Sequence, residues 1–353
     1  MSTITDRAAG ALLGLALGDA VGLPAAYHRT LALPPRRRSR LWSFSALTDE
    51  HRITTYSLPY THSGPEEVLD VSGTDDAEFA AVGARILLEC GDEPTAERLF
   101  AAWCRHVADD GSRVWSPIST RVAITNAAKG LTPPATGGDN PQHYDDAAVA
   151  PAVAVGLRFH GRPERAAQVA GHLACITHAA DGVWAAQAMA ATIAVAVAGE
   201  GIERALEAGT ARIPPDSWLG RKVRQAQEGL ERAGSGFAAL PYWNDRVANH
   251  VYNYGNAAPE TLAVAYAVLR ATGGALQAGV SLAALVPKQS DSMPAMVGAV
   301  AGAIEGAQAL PATWVTSLDV LRGLCLPALA GVSLRELAAA LLAAESGGDD
   351  SAR

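Results

Sequence analysis

Apolar residues recur every three to four positions through most of the chain, and strict alternation of Val, Ile and Thr with polar residues is rare. That spacing places one side of each segment against a core as a helix, not a strand. It predicts helices over 8–17, 78–89, 96–107, 163–176, 183–197, 218–232, 259–271, 293–309 and 334–344. Pro94-Thr95, Pro163-Glu164 and Pro259-Glu260 supply start signals, because proline fits the first helical turn. The expected fold is all-α, with about a dozen helices and strand content far below the usual share. Three stretches break the pattern: 30–72, 132–144 and 241–256. Long irregular loops in a compact domain are more often functional than idle. No linker-like stretch divides the chain, so the expectation is one domain over 1–345 and a disordered tail over 346–353.

Two of these helices carry glycines at four-residue intervals: Gly10, Gly14 and Gly18 in one, Gly298, Gly302 and Gly306 in the other. The interval puts each row on a single face, where backbones can approach closely. Glycine inside a helix costs about 1 kcal/mol relative to alanine, so the rows point to tight packing that offsets the loss.

The 353 residues are 49% hydrophobic, enough for a sizeable core and against disorder. Net charge is −8, and the only basic run, 36–40, sits in a Pro-rich loop and reads as a solvated turn. Binding of nucleic acid by phosphate neutralisation is therefore not expected. The longest apolar runs, 188–198 and 293–304, fall short of the ~20 residues of a membrane span and read as buried helices. Cys90, Cys104, Cys175 and Cys325 form no paired metal clip, and no signal segment leads the chain. Reduced buried thiols, a cytoplasmic location and a monomer are the expectations.

Candidate chemistry lies at two helix starts. Thr74, Asp75 and Asp76 in "SGTDDAEFA" precede one apolar-periodic run, and Ser290, Asp291 and Ser292 in "KQSDSMPAMVG" precede another. Each alone reads as a helix cap: Thr, Ser and Asp are favoured N-caps, and Asp75 with Glu78 has capping-box spacing. If the two starts converged, they would offer hydroxyl and carboxylate oxygens with no His or Cys. Such a set suits Mg²⁺ or Mn²⁺ and argues against zinc.

At these residues the chain resembles the ADP-ribosylglycohydrolase family, which includes the enzyme that removes ADP-ribose from dinitrogenase reductase. The resemblance rests on "GALLGLALGDAVGLPA", "GTDDAEFA", "CITHAADGVWAAQAMA", "GNAAPETLAVAYAVL" and "SDSMPAMVGAVAGAIEGA", in family order over 8–311. It implies an orthogonal bundle of helices, two Mg²⁺ ions at the base of a cleft, and cleavage of the bond between ADP-ribose and an acceptor such as arginine or serine. By position it implies that Thr74, Asp75, Asp76 and Asp291 bind the first ion and that Ser292 helps bind the second, with Asp75, Asp76 and Asp291 catalytic. It also implies that His178 lines the ribose site and that Tyr254, Gly255 and Asn256 border the substrate.

Three departures qualify the resemblance. A Glu tied to the second ion and to water activation is Ala26 here, and the first Asp of the closing motif is Gln289. The central Asn-Gly signature is replaced by Asp145 and Asp146, which are candidates for substrate contact. With two carboxylates fewer, the site should hold one divalent ion well and a second poorly. Glu66, Glu67, Asp145 and Asp146 are candidate replacement ligands. Two other readings stay open: a module that binds ADP-ribose or a nucleotide without turnover, and an enzyme repurposed for another ribosyl compound. The aromatics Tyr56, Tyr60, Trp243 and Tyr254 would frame such a different substrate.

Overall fold

A computed structural model describes residues 2–30, 71–111, 113–114, 116–249, 255–286 and 288–346, with side chains at all of these except 23–30, 345 and 346. In chain order the helices are α1 (Ile4–Thr30), α2 (Asp75–Cys90), α3 (Ala96–Trp103), α4 (Ile118–Ala128), α5 (Ala135–Gly138), α6 (Val149–Arg158), α7 (Pro163–Ala174) and α8 (Asp181–Ala198). They continue as α9 (Ile202–Thr210), α10 (Trp218–Ala233), α11 (Gly236–Tyr242), α12 (Ala258–Thr272), α13 (Leu276–Ala284), α14 (Met293–Glu305), α15 (Ala312–Asp319) and α16 (Leu334–Ser346). Among the described residues there is no strand, only the isolated bridges Asp145 to Ala257 and Val320 to Ser333. The fold is all-α, as the spacing predicts.

The core is centred on α8, which packs against α1, α6, α7, α9, α10, α12 and α14. Its Ala, Met, Ile and Val side chains are apolar all round, the pattern of a helix enclosed by others. By length and composition α8 would pass for a membrane span, yet 72% of it is buried within this core. At the surface the pattern changes: α10 is amphipathic and starts at Ser217, whose hydroxyl accepts from Gly220 N at 2.9 Å.

Two local expectations are corrected. The helix predicted to run to residue 309 ends at Glu305, because Gly306 takes φ +87°, a conformation that L-residues resist. The segment 96–107 is regular only to Trp103 and then widens into a π-helical turn, Cys104–Ala108. Helices α4, α5, α6, α9, α11, α13 and α15 were not among those predicted, and the stretch 241–256 contains a second π-helical turn, Trp243–Val247.

The glycine rows form the seam on which the site is built. Helices α1 and α14 run antiparallel with their backbones in direct contact. A Cβ at Gly10 would lie 2.2 Å from Gly302 O, one at Gly14 2.1 Å from Gly298 O, and one at Gly18 2.0 Å from Pro294 O. The row extends one step beyond the predicted one, to Gly22, whose Cβ would meet Asp291 O at 2.3 Å. The seam thus carries α1 as far as the closing acidic motif.

Candidate functional site

The same helix reaches the first acidic motif through a residue that the patterning did not single out. Asp19, one turn from Gly22, is buried and directed at the start of α2. Its Oδ2 accepts from Thr74 N at 2.6 Å and from Ala77 N at 3.0 Å, and its Oδ1 accepts from the Thr74 hydroxyl. Asp19 therefore caps α2 from another helix. Thr74 occupies the cap position but makes no side-chain cap bond of its own. Glu78 does not close a capping box either. Its carboxylate accepts from the backbone N–H of Leu324, Cys325 and Leu326 at 2.6 to 2.8 Å, tying α2 to the segment before α16.

Helix α1 is thus a staple: Gly22 lies on the backbone of Asp291 and Asp19 holds the backbone of Thr74. The two acidic helix starts are brought to one place. Asp75, Asp76, Asp145, Asp146, Asn256 and Ser292 line a small cleft with Phe79, Pro117 and Ala147. Asp291 stands at its edge, where Asn256 Nδ2 donates to its Oδ2 at 3.2 Å and to Ser292 Oγ at 2.8 Å.

Crowded carboxylates in a partly dry cleft resist ionisation. Burial, then the charge of Asp291, pushes Asp75 up to about 6. Burial, then the charges of Asp75, Asp19, Asp146 and Asp291, hold Asp76 well above the usual carboxylate range. Asp19 is pushed up to about 8 by burial and by Asp75, against its three hydrogen bonds. Asp146 is also held well above the usual range, by burial and then Asp145, with Asp291 adding to it and the Thr261 and Ser292 hydroxyls opposing.

Asp145 behaves in the opposite way. Burial raises it, but the charge and hydrogen bond of His178, with bonds from Ser119 and Ala147 N, outweigh burial and lower it. His178 Nε2 lies 2.6 Å from Asp145 Oδ1, and its Nδ1 lies 2.6 Å from the Thr177 hydroxyl. Both side chains are almost wholly enclosed. The structure thus places His178 in the wall behind Asp145, while Asp145 itself also borders the cleft.

Gly255 lies against the Lys288 backbone, where a Cβ would come within 2.4 Å of Lys288 O. Tyr254, Tyr56, Tyr60, Glu66, Glu67 and the side chain of Ala26 lie outside the described residues. Trp243 is buried and donates to Ala226 O at 2.9 Å, so it packs the core and frames no cleft. Gln289 is buried, and its Nε2 lies 3.4 Å from Glu260 Oε2. Glu260, read from sequence as a start signal, also accepts from Asn249 N and pairs with Lys288 at 3.0 Å. Gln289 is therefore joined to a buried ion pair.

Asp19, Glu260 and Lys288 are the residues that sequence reasoning missed. The signal for Asp19 was present: a lone carboxylate in an apolar, glycine-spaced helix must find partners to be buried.

The cleft's charged donors are all oxygens, the chemistry of a site for a hard divalent cation. Asp146 Oδ2 is buried within it with no hydrogen-bond partner. Among the described residues no three His, Cys, Asp or Glu side chains already stand as a closed ligand set. Like charges repel, so carboxylates gather fully only around a cation. On donor type and on the orphaned oxygen, the residues fit such an ion.

Known proteins agree with this architecture. A solved structure described as an ADP-ribosylglycohydrolase-related protein complex superposes with a TM-score of 0.60 over 98% of this chain and 100% of its own, at 23% identity. That likeness supports the fold. No curated protein matches the chain in sequence. The family model of the ADP-ribosylglycohydrolases matches residues 1–350. With a match over nearly its whole length, and with helix α1 joining the two acidic motifs at one cleft, the chain belongs to the ADP-ribosylglycohydrolase family.

Proposed function

We propose that the protein is a divalent-cation-dependent hydrolase that cleaves the ribosyl glycosidic bond of an ADP-ribosyl compound, with an arginine or serine side chain as acceptor. The convergence of Asp75 and Asp76 on α2 with Asp291 before α14 carries this reading. Asp75, Asp76 and Asp291, with the hydroxyls of Thr74 and Ser292, would hold one Mg²⁺ or Mn²⁺. A second ion would be held poorly, because Gln289 offers an amide where the family has a carboxylate. The bound ion would supply positive charge to position the ribose diol and the attacking water.

The chain's own residues then divide the work. Asp76, half-buried at the cleft, is the carboxylate that orients water toward the anomeric carbon. Water oxygen bonds to that carbon as the bond to the acceptor breaks. Asp76 takes a water proton and passes it to the released side chain, which leaves protonated as Asp76 returns to a carboxylate. Asn256 fixes Asp291 and Ser292 relative to each other through two bonds from one amide. Positioning, not acidification of the water, is the main contribution expected of such a site.

The test is release of ADP-ribose from ADP-ribosyl-arginine and ADP-ribosyl-serine peptides, with and without EDTA. Turnover lost in EDTA and restored by Mg²⁺ or Mn²⁺ supports the reading; full turnover in EDTA overturns it. The altered position at Gln289 favours a second reading, a module that binds ADP-ribose without hydrolysis. Calorimetric binding of ADP-ribose by a protein inert toward both peptides would select it.

A further inference from the structure

Asp146 has no counterpart in the acidic motifs just used, and its surroundings are unusual. It is only 3% exposed. Its Oδ1 lies 3.4 Å from Ser292 Oγ, and the Thr261 hydroxyl also acts on the carboxyl, but its Oδ2 has no hydrogen-bond partner. The charges that act on it most strongly, Asp145 and Asp291, are both of like sign. The ammonium of Lys288 is engaged by Glu260. A buried carboxylate ordinarily has a paired cation, a full set of donors, or a bound metal.

The backbone shows that this placement is built in. Asp146 N donates to Asn256 O at 2.8 Å, and Asp146 O accepts from Val149 N at 2.9 Å. Its neighbour Asp145 is anchored by Ser119, His178 and Ala147 N. The loop is held from both sides, so Asp146 faces the same cleft as Asp75, Asp76 and Ser292. Its orphaned oxygen is a second observation, independent of the gathering of acids.

We infer that Asp146 is a direct ligand of the divalent cation in this chain, supplying from the loop before α6 a carboxylate that the altered motifs no longer provide. The inference rests on the metal-dependent reading above. It assigns the replacement to one of four sequence candidates and leaves Asp145 to its partnership with His178. The site would then take its carboxylates from three segments: the start of α2, the loop at 145–148 and the turn before α14.

The experiment is calorimetric titration of the full chain with Mn²⁺, comparing wild type, Asp146→Asn and Asp291→Asn, with thermal unfolding of each in EDTA. Asp146→Asn keeps the shape and removes the charge. The expected result is Mn²⁺ binding weakened about tenfold or more, because affinity of such sites follows ligand charge. In EDTA its melting temperature should equal or exceed that of wild type, since an uncompensated buried carboxylate is gone. Asp146→Ser, small enough for the same space, is the second variant. Wild-type Mn²⁺ affinity in either folded variant, alongside loss in Asp291→Asn, overturns the assignment and leaves the metal-dependent reading standing. A wild-type protein that takes up no Mn²⁺ overturns both.

Discussion

Replacing Gly14 with alanine tests the seam between α1 and α14. The added Cβ would stand 2.1 Å from Gly298 O, whereas ordinary contacts begin at 3.4 Å, so the helices must separate by more than 1 Å. The obstacle is a backbone oxygen inside a helix and cannot rotate away. Overpacking a core typically costs about 1–3 kcal/mol, and an immovable obstacle belongs at the top of that range. Alanine returns about 1 kcal/mol in helix propensity. The expected net loss is about 2 kcal/mol, read as a lower urea midpoint at unchanged slope. Gly138→Ala is the control, because its Cβ meets nothing within 4 Å and the residue is helical, so stability should hold or rise slightly. Separation at Gly14 should propagate along the seam toward Gly22 and Asp291, weakening Mn²⁺ uptake in parallel. A Gly14→Ala protein as stable as wild type, or equal to Gly138→Ala, would refute the reasoning.

Three further outcomes follow from the geometry. His178→Ala leaves Asp145 buried without its main partner and should cost about 3 kcal/mol; adding Asp145→Ala should cost less than the sum of the single changes, as a double-mutant cycle by urea melts would show. Glu78→Ala strips the acceptor from three backbone N–H groups at 324–326 and should cost about 3 kcal/mol, with faster hydrogen exchange there, while Glu78→Gln, which keeps an acceptor oxygen, should lose less. The folded-state values of Asp75 and Asp19 are raised to about 6 and about 8, so in EDTA their protonated forms favour the fold. Their contribution is full below the ordinary value of 3.8 and should be lost as pH rises from about 4 to about 8, and Asp19→Asn should flatten that decline in thermal melts.

How much of this was legible in the sequence differs from element to element. Helix α8 was legible because its residues are apolar on every side and need no partner to be recognised. Helices α4 and α15 were not predicted, since exposed polar and threonine positions blur their period. Both acidic motifs were legible as helix starts, and so was the loss at Gln289. Their roles within those starts were not: Thr74 is capped by Asp19, and Glu78 bonds the backbone at 324–326, beyond α15, in a segment with no sequence signal of its own. Asp145 and Asp146 look equivalent as neighbours in the chain. Their environments separate them, one enclosed with His178 and the other facing the cleft with an unbonded oxygen.

The sequence by itself determined the class of secondary structure, the close approach along two glycine faces and the oxygen-only character of the acidic starts. Those properties depend on residue type and on spacing within one segment, where periodicity and covalent geometry act directly. Only the tertiary structure decided that the faces belong to each other, that α1 reaches Asp291 and Thr74 together, and which carboxylates share a cleft. These are pairings between segments far apart in the chain. They are selected by burial, fit and like-charge repulsion in three dimensions, which no local pattern encodes.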